Sequence, residues 1–377
     1  MDITITGAVI VKDEERCIKR CIDSLLPIFD EIIIVDTGSV DNTLNILNHY
    51  TCDKLKIFHT LWENDFSKPR NLAIKKARCD YIFFIDADEY INSSRCEVIS
   101  AFNEINRNTK KNDMALCPNI QDHNSNISRS VRRGFVNNEG FYYFGYVHEE
   151  LRKSNSAILD FNVSVNIIHD GYFPEIIESK DKENRNYQLN LKNISAEPRY
   201  LRWRFFYYRD SFEFFPVEEI YHTLSNLIKI NENFPLQYSN LKSDKYIFSI
   251  LDLIARAKLK LRDDYDEFQR VIGVMNEIIP FNSNGFYYSM VYEIFNWKDS
   301  ARRKIEEILN FKHSERQCNI DMLHSEGLHI DAALSFYLYE IGMKAKAKEL
   351  LLSVKSCGFH TDLIDSYLRQ MSYDEHE

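Results

Sequence analysis

Within the first ninety residues, near-continuous apolar runs, ITGAVIV, EIIIVD and DYIFFID, alternate with segments of helical pattern, ERCIKRCIDSLLPIF, DNTLNILNHY and KPRNLAIKKA, and with a fourth β-rich run, KIFHTLW. A strand that is apolar at almost every position has to be covered on both faces, and helices interleaved between such strands supply that cover. The pattern therefore selects an α/β domain with a mostly parallel, Rossmann-like sheet. In such sheets ligands sit beyond the carboxyl ends of the strands. The polar segments that close three of the runs, VKDEE, DTGS and DADE, are thereby expected to meet in one crevice.

From about residue 113 to 171 the pattern is mixed, with pieces such as MALCPNI, GFYYFGYVHEEL and NVSVNIIHDGY between Asn, Ser and Gly clusters. Beyond about residue 180 it turns helical, as in VEEIYHTLSNLIKI, KYIFSILDLIARAKLKL and HIDAALSFYLYEIGMKAKAKELLLSV, whose paired spacing suggests stacked helical hairpins. A chain of 377 residues exceeds the usual single core. Two domains are expected, residues 1–178 and 179–377. The net charge of −10 lacks the basic face that phosphate neutralisation needs, so no nucleic-acid partner is expected. The start, MDITITGAVIVKDEE, has no basic leader followed by an apolar core, and no apolar run approaches the roughly 20 residues that span a bilayer. A cytoplasmic protein without a transmembrane segment is expected. The eight cysteines show no CxxC pair or zinc spacing, and Cys17 and Cys21 read as small apolar helix residues.

Asp36 ends an apolar run and opens DTGSVDNT, where Gly38 permits a tight turn and Asp41, Asn42 and Thr43 offer capping oxygens. That segment alone reads equally as a nucleotide-binding turn or an ordinary capped loop. Asp86-Ala87-Asp88 follows DYIFFI directly, so two carboxylates leave the end of a strand. Hard divalent cations, Mg²⁺ or Mn²⁺, take one or two such oxygens and complete their shell with phosphate and water. Lys68, Arg70 and Asn71 lie at the start of a helix near Pro69, where a guanidinium and a helix start favour an anion. His148, Glu149 and Glu150 close the aromatic run FYYFGYV, and a carboxylate among rings is a candidate general base. His169, in IIHDGY, is a candidate third metal ligand.

Taken together, AVIVKDEERCIKRCIDSL, IIIVDTGSVDNT, NDFSKPRNLAI and YIFFIDADEYI resemble the family 2 inverting glycosyltransferases of the GT-A fold. The resemblance covers about the first 175 residues. RRGFVNNEGFYYFGYVHEEL and NIIHDGY extend it to a subgroup with a helical, tetratricopeptide-like carboxyl-terminal domain. Two departures stand out: Lys12-Asp13-Glu14 replaces the usual Tyr-Asn-Glu, and Pro69 replaces the more common Ala before the Arg-Asn pair. The resemblance implies that Val11, Asp13, Glu14, Asp36, Gly38 and Ser39 lie near the nucleoside. It implies that Asp65, Lys68, Arg70, Asn71, Asp86, Ala87 and Asp88 serve the rest of the donor, with Asp86, Asp88 and His169 at the metal, and that Glu149 or Glu150, beside His148, activates the acceptor. Glu149 is favoured as the base.

Within that subgroup the chain is similar to enzymes that glycosylate bacteriocin peptides on cysteine, the glycocin S-glycosyltransferases. The resemblance implies transfer of a hexose from a UDP-sugar, UDP-glucose by default, to a cysteine, with serine as a second acceptor. A homodimer formed through the helical domain is a further expectation. Other members act on lipopolysaccharide or cell-surface glycans, which is the alternative. A non-catalytic nucleotide-sugar or peptide-binding scaffold is disfavoured by the joint presence of Asp36, Arg70, Asp86, Asp88 and the Glu pair. A nucleotidyltransferase is disfavoured because VKDEE is acidic where such enzymes carry a glycine-rich, basic phosphate loop.

Overall fold

A computed structural model describes residues 3–154, 156–169, 182–313 and 327–373. The apolar runs become strands β1 (Ile5–Val11), β2 (Glu31–Asp36), β3 (Leu55–His59) and β4 (Tyr81–Asp86), parallel to one another in the order 3-2-1-4. Helices α1 (Ile18–Leu25), α2 (Thr43–Asn48) and α3 (Ser67–Lys76) connect them. A short return strand, β5 (Glu89–Ile91), and helix α4 (Arg95–Asn106) follow. The second part of the sheet comes from β6 (Met114–Gln121), β7 (Ile127–Ser128), β8 (Gly134–Val136) and β11 (Leu159–His169), while β9 (Phe141–Phe144) and β10 (Glu150–Lys153) form a separate hairpin. The order runs 3-2-1-4-8-6-11-5, antiparallel at β4–β8, β8–β6 and β11–β5. Insertion of β8 turns a parallel sheet into a mixed one, and the extension lies within the stretch whose sequence pattern is irregular.

Alternation along each strand divides the core in two. Ile5, Val9, Ile32, Ile34, Phe83 and Ile85 pack with Ile18, Ile22, Val98 and Phe102 of α1 and α4. Ala8, Ile33, Val35, Ile82 and Phe84 pack with Ala73 of α3 and with Phe141, Tyr143 and Leu151 of the hairpin. Each of these residues is less than one-tenth exposed, which is why the runs show no polar alternate position.

The chain divides into two compact units, Met1–Phe214 and Phe215–Glu377. The boundary expected at 178/179 lies outside the described residues. Helices α5 (Lys182–Ala196) and α6 (Leu201–Asp210) belong to the first unit. In the second, α7 (Val217–Ile228), α8 (Ile247–Leu261), α9 (Tyr265–Ile278), α10 (Ser283–His313), α11 (Leu328–Glu340), α12 (Lys344–Ser356) and α13 (Asp362–Tyr373) each pack on the next in the chain. The fold is thus a Rossmann-like α/β domain followed by a helical region. Among the described residues no helix is long and apolar enough to cross a membrane.

Glu31 shows how the sheet tolerates a buried charge at its amino edge. Its oxygens accept from Lys56 Nζ (2.6 Å), Thr6 Oγ1 (2.8 Å) and the Arg78 N–H (2.9 Å). Burial raises its pKa, but Lys56, the Arg78 amide and the Thr6 hydroxyl together bring it below the ordinary carboxylate value. A carboxyl whose folded pKa is depressed stabilises the fold above its unfolded value, and the contribution is lost as pH falls through the folded one. Glu31→Gln is expected to cost about 1.5–3 kcal/mol at pH 7, the range for hydrogen bonds to a charged group. Urea titrations at descending pH should show the gap to the unmodified protein narrowing through the carboxylate range.

Candidate active site

The sheet register sets the strand ends level: Val11 lies beside Asp36, and Ile10 beside Asp86. The loops beyond them are laced together. Thr37 N–H donates to the Val11 carbonyl (2.9 Å), Asp13 N–H to Ser39 Oγ (3.0 Å) and Glu14 N–H to Thr43 Oγ1 (2.8 Å). Asp36, 2% exposed, accepts from the amides of Gly38 (3.0 Å) and Ser39 (3.2 Å), and Asp13 accepts from the Val40 amide (2.7 Å). The return of the chain onto Asp36 uses a φ of +97° at Gly38, a conformation that favours glycine. The two aspartates expected near the nucleoside therefore shape their loops by binding backbone amides. Nearby, burial and the adjacent Glu14 push the Cys17 thiol up to about 12, and the protonated sulfur donates to Glu14 Oε2 at 3.3 Å.

One strand further on, α3 delivers Arg70 to Asp86. The order of events at its start is local: Asp65 accepts from Ser67 N–H (2.9 Å), Ser67 Oγ (2.6 Å) and Lys68 N–H (3.3 Å), which caps the first turn. Lys68 pairs with Glu63, both side chains more than half exposed. Asn71 fastens the helix to β9, its Nδ2 donating to the Tyr143 carbonyl (2.9 Å) and its Oδ1 accepting from the Tyr143 N–H (2.7 Å). Arg70 is then held below Phe84 and Tyr143, with its guanidinium carbon 5.4 Å and 5.2 Å from the two ring centres. Its Nη2 donates to Asp86 Oδ1 (2.8 Å) and its Nε to Glu149 Oε1 (2.5 Å). On the other side Arg133 Nη2 donates to Asp86 Oδ2 (2.7 Å) and Glu89 Oε1 (2.6 Å). Both arginines are more than nine-tenths buried.

Three carboxylates thus face two guanidiniums, a surplus of one negative charge. Partial burial works against the charge on Asp86, but Arg133 and Arg70 overcome it and hold its carboxyl well below the usual range. Glu89 moves the other way: burial raises it more than Arg133 lowers it, so it is the member that takes a proton first. Asp86, expected at the metal, gives one oxygen to each arginine. Asp88 leaves the two-residue turn between β4 and β5 and meets His169 at the end of β11, Oδ2 to Nε2 3.2 Å. Burial lowers the His169 pKa, and the Asp88 contact and charge outweigh it to give a net rise. Among the described residues there is no cluster of three or more His, Cys, Asp or Glu side chains suited to a metal ion. A carboxylate with an imidazole still fits a divalent cation that draws its remaining ligands from phosphate and water.

The 3-2-1-4 parallel sheet, with Asp86-Ala87-Asp88 following β4, falls within a stretch that sequence comparison matches. Residues 8–163 fit the description "Glycosyl transferase family 2". The match spans the strands that carry Asp36 and Asp86 and ends within β11. The chain is 28% identical over 280 residues to the SPbeta prophage-derived glycosyltransferase SunS of Bacillus subtilis (strain 168), covering 74% of this chain and 64% of that protein. It is 28% identical over 181 residues to the poly(ribitol-phosphate) beta-N-acetylglucosaminyltransferase TarS of Staphylococcus aureus (strain Mu50), covering 44% of this chain and 28% of that one. The crystal structure of S. aureus TarS superposes with a TM-score of 0.37 at 15% identity, covering 71% of this chain and 55% of that chain, too loose a likeness to carry an argument. The chain spans 64% of the length of SunS.

The turn before β10 separates the two glutamates. Glu149 turns to Arg70 and the strand edge. Glu150 turns away, accepting from Arg152 Nε (2.9 Å) and the Tyr200 hydroxyl (3.1 Å) beside an open cleft of about 640 Å³ lined by Arg152, Glu197, Pro198, Arg199 and Tyr200. His148 turns to Asp210 on α6, Nε2 to Oδ2 2.5 Å, and burial gives it a net lowered pKa despite that carboxylate. Ala87 is a buried spacer. Sequence reasoning did not single out Arg133 or Glu89. Arg133 lies in RRGFVNNEGF, one residue before β8, and that position is its sequence signal. Replacing Arg133 by Met leaves Asp86 with Arg70 alone and takes from Glu89 the guanidinium it meets, and a cost of about 3–5 kcal/mol in urea unfolding is expected. Lys68→Ala, at an exposed pair, should leave the unfolding midpoint where it is.

Proposed function

We propose that this chain is an inverting glycosyltransferase that moves a hexose from a UDP-sugar, UDP-glucose first, onto a peptide cysteine, with serine as a second acceptor. The observation that carries the reading is Glu149, linked through the single guanidinium of Arg70 to Asp86 at the strand edge of a family 2 domain. The similarity to the glycosyltransferase SunS over 74% of the chain supports glycosyl transfer as the reaction.

In this reading the acceptor's nucleophile attacks the anomeric carbon while Glu149 takes its proton, and the bond to the diphosphate breaks on the opposite face with its electron pair leaving on the nucleotide. Arg70 occupies one Glu149 oxygen and fixes the carboxylate's plane. Among the described residues Oε2 has no hydrogen-bond partner, which leaves it for the proton. A thiol asks less of this base than a hydroxyl does, because its own pKa is lower. Arg70 and Arg133 keep Asp86 ionised where it borders the donor. Asp88 and His169 would hold Mg²⁺ or Mn²⁺, which when bound supplies positive charge to the departing diphosphate.

The similarity to TarS favours a second reading, transfer to a cell-surface glycan such as a poly(ribitol-phosphate) chain. The deciding assay offers UDP- and GDP-sugars with Mg²⁺ or Mn²⁺ to a cysteine peptide and to a ribitol-phosphate polymer, and identifies the nucleotide released and the acceptor modified. Peptide modification with release of UDP is the expected result; modification of the polymer alone would move the protein to the second reading, and release of pyrophosphate would end both. Glu149→Gln is expected to lower kcat at least ~100-fold with donor affinity retained, the size of a lost general base. Glu150→Gln should stay close to the unmodified rate, and its inactivation with Glu149→Gln active would transfer the role. Asp88→Ala should abolish the response to added metal.

A further inference from the structure

Glu149 is the end of a loop whose every preceding residue is gripped by α5 or α6, helices that lie beyond the family 2 match at residue 163. The indole of Trp203 lies against Gly145, where a Cβ would come within 2.7 Å of its ring at a φ of +119°. Asn193, fully buried, accepts from the Tyr146 N–H (2.7 Å) and donates to the Val147 carbonyl (2.9 Å). The His148 carbonyl accepts from Arg202 Nη2 (2.5 Å) and Nε (3.2 Å), and its ring stacks on Phe206 with centres 4.1 Å apart. His148 has a φ of +52°, uncommon for a side chain with a Cβ and held only where surroundings fix it.

The contact that fixes the ring is the carboxylate of Asp210, which meets His148 Nε2 at 2.5 Å. Asp210 is itself pinned: Oδ2 accepts from Asn190 Nδ2 (3.2 Å) and Asn186 Nδ2 (3.4 Å), and Oδ1 from Arg209 Nε (2.9 Å) and Nη2 (2.7 Å). A carboxylate held by three side chains is a fixed point, and the backbone that turns at His148 sets where the next side chain starts. We propose that Asp210 is a positioning residue for the transfer reaction, acting through His148 to aim Glu149. Together α5 and α6 are the rear wall of the base and a working part of the catalytic unit. The proposal rests on Glu149 being the base.

The test measures kcat, donor KM, acceptor KM and melting temperature for Asp210→Ala, Asp210→Asn and Glu149→Gln. Asp210→Ala is expected to lower kcat ~10–100-fold, the effect of a lost orienting partner or a small misplacement of the base, with donor KM unchanged. Asp210→Asn keeps an acceptor oxygen for His148 and should recover most of the rate. In the Glu149→Gln background Asp210→Ala should subtract nothing further, since the two act as one unit. A purely structural role would instead lower the melting temperature, raise donor KM alongside the fall in kcat and give additive losses, and that pattern overturns the proposal. If Asp210→Ala melts early, His148→Asn decides: asparagine tolerates the left-handed backbone but is too short to reach Asp210, and a normal kcat there overturns the proposal. Full activity of Glu149→Gln would sink the base assignment itself; an inactive Glu149→Gln beside an unimpaired Asp210→Ala would sink only the positioning role.

Discussion

The double bridge of Arg70 and Arg133 onto Asp86 is the interaction on which this site depends. Its five members come from five places: α3, the end of β4, the start of β5, the residue before β8 and the residue before β10. Taking guanidiniums and carboxylates out of water is costly unless each charge finds its counterpart in good geometry. That cost makes the arrangement cooperative, because an element that drifts strands a charge on its neighbour. The parallel sheet, its antiparallel extension and the hairpin loop are thereby held to one another at the point where chemistry is proposed.

Around that bridge the carboxylates divide their work. Asp13, Asp36 and Asp65 are spent on backbone amides, which makes their loops stiff and presents mostly main chain to a ligand. Asp86 is spent on arginines. Asp88 and His169 meet one another, and Glu149 meets Arg70 through one oxygen; these are the groups to which the proposed metal and proton transfer are given. Building the site on strand ends and a helix start, with loops stitched to one another, fixes the geometry before any ligand arrives.

The sequence exposed whatever is written in consecutive residues. Strands buried on both faces are legible because covering both faces forbids polar alternates, and the crevice follows from strand direction alone. DADE stood out because carboxylates directly after an apolar run mark where a buried strand ends. Arg70, Asp86 and Glu149 were each legible as polar residues at segment ends, but their pairing was not, since the Arg70–Glu149 contact spans 79 positions and no local pattern encodes it. Arg133 and Glu89 were hidden for the same reason. Glu149 and Glu150 are identical side by side in sequence, and only the turn at His148, with its positive φ, sends them to different environments. The assignment of α5 and α6 to the first unit was invisible too, because a helix pattern carries no statement of which core it joins.

The Asn71 amide has a consequence unrelated to sugar transfer. By donating to and accepting from Tyr143, it completes both hydrogen bonds that a further β-strand would make at that residue of β9. A free strand edge is a template for another chain, and proteins that leave one open risk joining edge to edge. Here a single side chain on α3 imitates a strand for the length of one residue pair and closes the hairpin's flank. The contact that sets the helix beside the sheet also satisfies the main chain of a buried edge residue that would otherwise be left unpaired.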